Sequence, residues 1–370
     1  MSSTKKRNSR REFIGAAART AVAATTLSGF AKPSLAMSGV KSEAGMRVLL
    51  RVKDLSENRL RYVKQIGVND AMVYLPDIPG YKEKGYLVME DLLVVRKRME
   101  EYGIRIATLQ LGQGDLERLL LGREGADAEL DRACRTIESM GKAGISVLTY
   151  SLLASRAILT AMGGTLPGYW ENPAGRGGAV LKSFDEERSK MTKEEPAGRI
   201  TADQMWDRVT RFLKRCVPVA AGAGVYLACH PDDPPVARHW GVDQVLFRLN
   251  ALKRFTEIEP SKYNGLLLCQ GTIQEAGINV LDYIRTFGRE KRIIHVELRG
   301  VRGLAPKYDE VFMDEGDLSL WDVVRTLKEG GYSGTVEVAH VPKMINDQER
   351  HIANAWAVGY VKALLSAAQS

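Results

Sequence analysis

Four short stretches in the second half of the chain carry side chains able to hold a divalent cation and move protons. Cys229-His230-Pro231-Asp232-Asp233-Pro234-Pro235 sets an imidazole and two carboxylates beside prolines that stop a strand and stiffen the turn after it. Cys269-Gln270-Gly271-Thr272 offers a thiol, His295-Val296-Glu297-Leu298-Arg299 an imidazole, a carboxylate and a guanidinium at every second position, and Glu337-Val338-Ala339-His340 a carboxylate and another imidazole. Side chains two apart on a strand share a face. Imidazole, thiolate and carboxylate at one level on adjacent strands would make a mixed N/S/O site for a cation of the Mn, Fe, Co or Zn class. The candidate ligands are His230, Cys269, Glu297, His295 and Glu337. Singly, each has an ordinary structural reading; Cys269, behind Leu266-Leu267-Leu268, would by itself be a buried packing thiol. Four consecutive strands each offer a ligand, and Glu297 is the hardest to explain as packing, because an unpaired carboxylate is costly to bury. His239 and His351 have no such company and read as surface residues.

Positioning these groups requires strands that end together. Apolar and β-branched runs alternate with helix-period segments along the chain, the pattern of a parallel sheet covered by helices. Strands are expected at Met46–Val52, Asp70–Leu75, Ile104–Leu111, Ile145–Ser151, Val225–His230, Gly265–Thr272, Arg292–Arg299 and Thr335–Val341. The clearest helices are Glu90–Tyr102, Ala126–Lys142, Ala202–Val219, Val242–Ile258, Glu275–Phe287, Leu318–Glu329 and Ile352–Ala368. Eight strand-helix units predict an α/β fold, a single-domain (β/α)8 TIM barrel, with functional groups at the C-terminal strand ends. The competing doubly wound sheet would want a glycine-rich turn after the first strand, and none is there. Residues 152–200 are too long for an ordinary connection and predict a lid-like insertion over the barrel mouth after strand four.

The N-terminus has its own signature. Ser9-Arg10-Arg11-Glu12-Phe13-Ile14 follows a basic start and precedes an alanine- and threonine-rich run, the layout of a twin-arginine signal, with Ser34-Leu35-Ala36 suited to cleavage. The organisation expected is a signal at residues 1–36 and a catalytic domain at 37–370, exported through the twin-arginine (Tat) translocon and so periplasmic or otherwise extracytoplasmic. The chain is +8 overall, and seven basic residues against one acid before residue 37 leave only +2 for the remainder. That balance, without basic patches interleaved with aromatics, argues against a nucleic-acid partner. Four scattered cysteines are too few for a disulfide scaffold.

The motifs taken together resemble mannonate dehydratase. The resemblance is carried by His230-Pro231-Asp232-Asp233-Pro234-Pro235, Cys269-Gln270-Gly271-Thr272, Arg299-Gly300-Val301-Arg302-Gly303 and His340, supported by Tyr150, Arg176-Gly177-Gly178 and Ser183-Phe184-Asp185. It implies a metal-dependent TIM barrel, manganese first and Fe, Co or Zn as alternatives, that eliminates water from a sugar acid to give a 2-keto-3-deoxy acid. It also implies a metal held by His230, by Cys269, by a strand-seven histidine and by a strand-eight aspartate. Those last two positions hold Glu297 and Ala339 here, so Glu297 or His295, with Glu337 or His340, would complete the set. Such chemistry needs a cation to stabilise the enediolate and groups to move protons. His340 and Asp232 are the expected catalytic residues; Arg299 would hold the anionic end of the substrate and Tyr150 contact it. The partner is then a small sugar acid or sugar, with room for a homo-oligomer. Two other readings stand beside this one: a metal-dependent sugar isomerase or epimerase, and a non-catalytic sugar-binding barrel.

Overall fold

Eight parallel strands close into a barrel, each element following from local sequence. In the computed structural model, which describes residues 45–192 and 196–369, the strands are Arg47–Val52, Asp70–Tyr74, Arg105–Gln110, Val147–Ser151, Tyr226–His230, Asn264–Cys269, Ile293–Leu298 and Thr335–Val338. They are hydrogen-bonded in sequential order, and the first pairs the last through Arg47 opposite Thr335. The expected signal segment, 1–36, lies outside the described residues. No helix among those described is long and apolar enough to cross a membrane.

The helices are set by capping and amphipathicity. Ala202–Ala223 starts at Thr201, whose hydroxyl accepts from the Gln204 amide (3.3 Å) while the Gln204 side chain accepts from the Thr201 amide (2.9 Å). It ends at Gly224, where a φ of 73° is open to glycine without strain. Its apolar stripe, Met205, Val209, Phe212 and Cys216, packs onto strand four and onto Ala126–Lys142. Cys134 and Cys216 meet between these two helices, Sγ to Sγ 3.9 Å, and all four cysteines are free and buried.

Two expected elements are corrected. The helix read as Val242–Ile258 begins only at Leu249, because Val242-Asp243 pairs antiparallel with Arg238-His239. His239 is not a surface residue: it is 1 % exposed, its Nε2 lies 2.9 Å from the Pro167 carbonyl and its ring packs edge-on against Phe184. Both partners come from the long segment after strand four, which no reading of His239's own neighbours could supply.

The described residues of that segment carry secondary structure of their own. It holds the helix Ala154–Met162 and the strands Tyr169–Asn172 and Leu181–Asp185. These two strands join a hairpin that follows strand seven, Gly300–Leu304 and Lys307–Val311, in one four-stranded antiparallel sheet. Leu166, Tyr169, Phe184, Val236, Val301 and Tyr308 form a small core of its own beneath this side sheet.

Candidate metal centre and cleft

Strands five and six end with His230 and Cys269, strand seven has Glu297 next to its last residue, and the pairing puts Cys269 opposite Glu297 and Glu297 opposite Glu337. One donor atom from each of His230, Cys269 and Glu297 lies within 4.8 Å of the others. His230 Nε2 is 3.8 Å from Glu297 Oε2, and Cys269 Sγ is 3.7 Å from Glu297 Oε1. Ligand atoms around one tetrahedral ion stand roughly 3.3–3.8 Å apart, so the residues present fit a divalent cation. The surrounding bonds support the fit. His230 Nδ1 is 2.6 Å from the Pro231 carbonyl, which can only accept, so Nδ1 donates there and Nε2 is the atom turned toward Glu297. Thr272 Oγ1 lies 3.2 Å from Cys269 Sγ and fixes it. Burial pushes the Cys269 thiol well up, against the pull of Arg299; coordination would remove that proton. Burial also opposes ionisation of Glu297, but His230, His340, Arg51 and Arg299 outweigh it and hold the carboxyl at about 2.

His340 completes the wall. Its Nε2 is 3.8 Å from Glu297 Oε1, on the cleft side, and its Nδ1 is 2.8 Å from Glu310 Oε2 and 2.7 Å from an Arg299 nitrogen. The residue has a φ of 53°, unusual for a side chain of this size, and its neighbours hold it there. Burial lowers its pKa, with Glu310 pulling the other way.

Other expected site residues are placed elsewhere. His295 is fully buried one pleat deeper, with Nε2 3.3 Å from Glu337 Oε2 and Nδ1 3.3 Å from Thr335 Oγ1, apart from the three-donor cluster. Glu337 is spent on that histidine and on Arg51, whose guanidinium is 3.0 Å away. Tyr150 does not face the cleft: it points outward against Phe212, ring centroids 4.7 Å apart, while its neighbour Ser151 lines the opening. Pairing of Ser151 with His230 shows why, since alternate residues face opposite sides. Asp232 is 3 % exposed and accepts from the Val245 (2.8 Å) and Leu246 (2.7 Å) amides, tying down the loop after strand five. Burial raises its pKa to about 6.

Arg299 is the largest correction. Instead of reaching for substrate it is completely buried, and its guanidinium meets Glu310 (2.9 Å), Glu275 (2.9 Å), Thr272 (2.8 Å) and Asp233 (3.4 Å). Gly271 makes this burial feasible, because a Cβ there would run into the guanidinium. Burial disfavours charge on Asp233, yet Arg299, Lys182, Arg156 and His230 hold it well below the carboxylate range. The Tyr169 hydroxyl donates to Asp233 (2.5 Å), linking the side sheet to the strand-five loop.

The opening above the donors is a cleft of about 320 Å³ whose walls include Arg51, Lys53, Arg156, Lys182 and Arg350 as well as Asp233 and Glu310. Of these seven, only Asp233 belongs to a motif that the sequence brings forward. Arg51, charged within a barrel strand, was the readable signal; Lys182 and Glu310, paired at 3.0 Å, arrive only through the side sheet.

The model of the D-mannonate dehydratase family matches residues 178–369, just over half of the chain, and that half carries the donor set. The chain belongs to the D-mannonate dehydratase family. The mannonate dehydratase of Streptococcus agalactiae serotype Ia is 25% identical over 270 residues, covering 68% of this chain and 77% of that one. The protein of the same name from Geobacillus thermodenitrificans is 24% identical over 329 residues, 80% and 86% of the two chains. A solved mannonate dehydratase from Streptococcus suis serotype 2 superposes with a TM-score of 0.72 at 22% identity, over 87% of this chain and 95% of that chain. An L-ribulose 3-epimerase shares the barrel more distantly, with a TM-score of 0.55 at 14% identity over 88% of this chain and 96% of that one. Mannonate dehydratases are metal-dependent enzymes, and His230, Cys269 and Glu297 are residues through which this member could bind its cation.

Proposed function

We propose that this mannonate dehydratase family member is a hydro-lyase that removes water from a sugar acid to give a 2-keto-3-deoxy acid, with manganese held by His230, Cys269 and Glu297. The observation that carries it is the meeting of these three donors at the floor of a cleft rich in positive charge, in a chain of this family. When bound, the cation supplies Lewis-acid stabilisation of the charge that builds on the substrate carboxylate as the neighbouring proton leaves. His340 takes that proton at Nε2: burial favours the neutral imidazole, and Glu310 at Nδ1 orients the ring and stabilises the imidazolium formed. Once protonated, the same nitrogen can return the proton to the departing hydroxyl, so a C–H and a C–O bond break, water leaves, and the enol product becomes the keto acid. Arg156 and Lys182 offer positive charge to the substrate carboxylate.

The test is elemental analysis of the purified protein followed by a keto-acid assay on aldonic acids. Stoichiometric Mn, Fe, Co or Zn, lost in His230→Ala and in Cys269→Ala, with keto acid formed, supports the reading. Metal with carbonyl migration or inversion but no loss of water would make it an isomerase or epimerase. No cation under loading conditions would leave a sugar-binding barrel. The Arg10-Arg11 signature further supports export; a mature chain starting at Met37 in the extracytoplasmic fraction is the expected result, and an intact N-terminus in the cytoplasm would overturn it.

A further inference from the structure

The cleft continues into a second lobe of about 480 Å³ between strand one, the end of strand eight and the start of the last helix, and the two lobes share Arg51, Lys53, His340 and Arg350. Along the two lobes, three buried carboxylates have cationic partners: Glu310 has Lys182 and Arg299, Asp233 has Arg299, and Glu337 has Arg51. Lys53 and Arg350 form no ion pair among the described residues. Asp77 attracts Lys53 from outside ion-pair distance, while Arg51, Arg350 and Arg59 repel it; together with partial burial, the largest influence, this lowers its pKa. Neither cation has a carboxylate at ion-pair distance among the described residues, so both are open to the negative charge of a ligand.

Arg350 is fixed there. It has a φ of 57°, its amide donates to the Asp347 carbonyl (3.0 Å), and its own carbonyl accepts from the Asn354 amide (2.9 Å). The Asp347 carboxylate in turn caps the last helix through the Ile352 (3.0 Å) and Ala353 (2.8 Å) amides. Ala339 lines the same lobe at the position where the family resemblance leads one to expect an aspartate, and the acids Asp54 and Glu349 that also line it are engaged by Ser56 and His351.

We propose that Lys53 and Arg350 receive a second anionic group, a carboxylate or a phosphate, at the end of the substrate remote from the cation, which makes the substrate a dianionic sugar acid. The inference rests on the sugar-acid reading above. An aldonate with its carboxylate at His230, Cys269 and Glu297 would set only a neutral hydroxyl against these two cations, whereas a hexaric acid or a 6-phosphorylated aldonate would neutralise them.

The experiment is calorimetric binding to the manganese-loaded protein of D-mannonate, the hexaric acid of the same configuration, and the 6-phosphate of mannonate. At least one dianion is expected to bind ten-fold or more tighter than mannonate, about 1.4 kcal/mol, and which one does so identifies the group. In Lys53→Met and Arg350→Met that advantage should shrink to within two-fold, with Tm measured alongside; Lys53, with no ion pair to lose, keeps the test valid if the Arg350 variant is unstable. Equal binding of all three ligands by wild type, or variants that weaken all three alike, would overturn the inference and leave the sugar-acid reading standing. Metal-loaded protein that binds none of them would remove both.

Discussion

Two polar clusters sit side by side at the mouth of this barrel and use the same residue types for opposite ends. Around Arg299, the guanidinium is closed in by Glu310, Glu275, Thr272 and Asp233 with no exposed surface. Around Glu297, the donors His230, Cys269 and His340 stand 3.7 to 3.8 Å away, too far for good hydrogen bonds and at the right spacing for a cation between them. The Arg299 cluster is closed, with hydrogen bonds at both terminal nitrogens though not at Arg299 Nε or one Glu275 oxygen, and holds structure, whereas the looser set facing a cleft is ready to exchange partners. The difference lies in exposure and spacing, and His340 and Glu310 join the two.

The comparison can be broken by substitution. The largest effect is expected from emptying the open cluster: Cys269→Ala should abolish activity and stoichiometric metal together, while the Tm of the metal-free protein stays near that of metal-free wild type. Next is Arg299→Met, which leaves several buried carboxylates without their counter-charge; removing one partner of a buried pair typically costs about 3–5 kcal/mol, read by denaturant unfolding. If Arg299→Met is stable and only raises KM, the residue belongs to the open cluster after all. His340→Gln should lower kcat by roughly 10²–10⁴-fold, the usual contribution of a positioned acid-base group, with metal content unchanged; loss of metal would instead make His340 a ligand. Gly271→Ala should cost about 1–3 kcal/mol, as overpacking does, and should weaken the fold before it weakens metal affinity. Tyr150→Phe should be the mildest, at about 1 kcal/mol or less, because the buried hydroxyl has only the Cys229 thiol as a partner to lose. A KM change in that variant would put Tyr150 back at the substrate.

Much of this architecture was legible because barrel strands are buried on both faces and read as continuous apolar runs, with helix-period segments between them. His230, Cys269 and Glu297 were legible because they fall where such runs stop. Tyr150 was misplaced by a single residue of parity: the pairing of Ser151 with His230 turns Tyr150 outward. Arg299 was misread because its partners Glu310 and Glu275 come from a hairpin and a short helix whose docking no local pattern announces. The choice between His295 and Glu297 also needed three dimensions, since both share a face of one strand and only depth in the barrel separates them.

The sequence by itself determined the alternation of strands and helices, the strand ends that carry the donors and the motifs that resemble the family, because each depends on residues close in the chain. The tertiary structure decided which charges are spent and which are free. Burial and pairing are properties of contacts between distant segments: Arg299 became structural when the side sheet closed over it, and Lys53 and Arg350, brought to one lobe by the end of strand one and the turn before the last helix, have no carboxylate at ion-pair distance among the described residues.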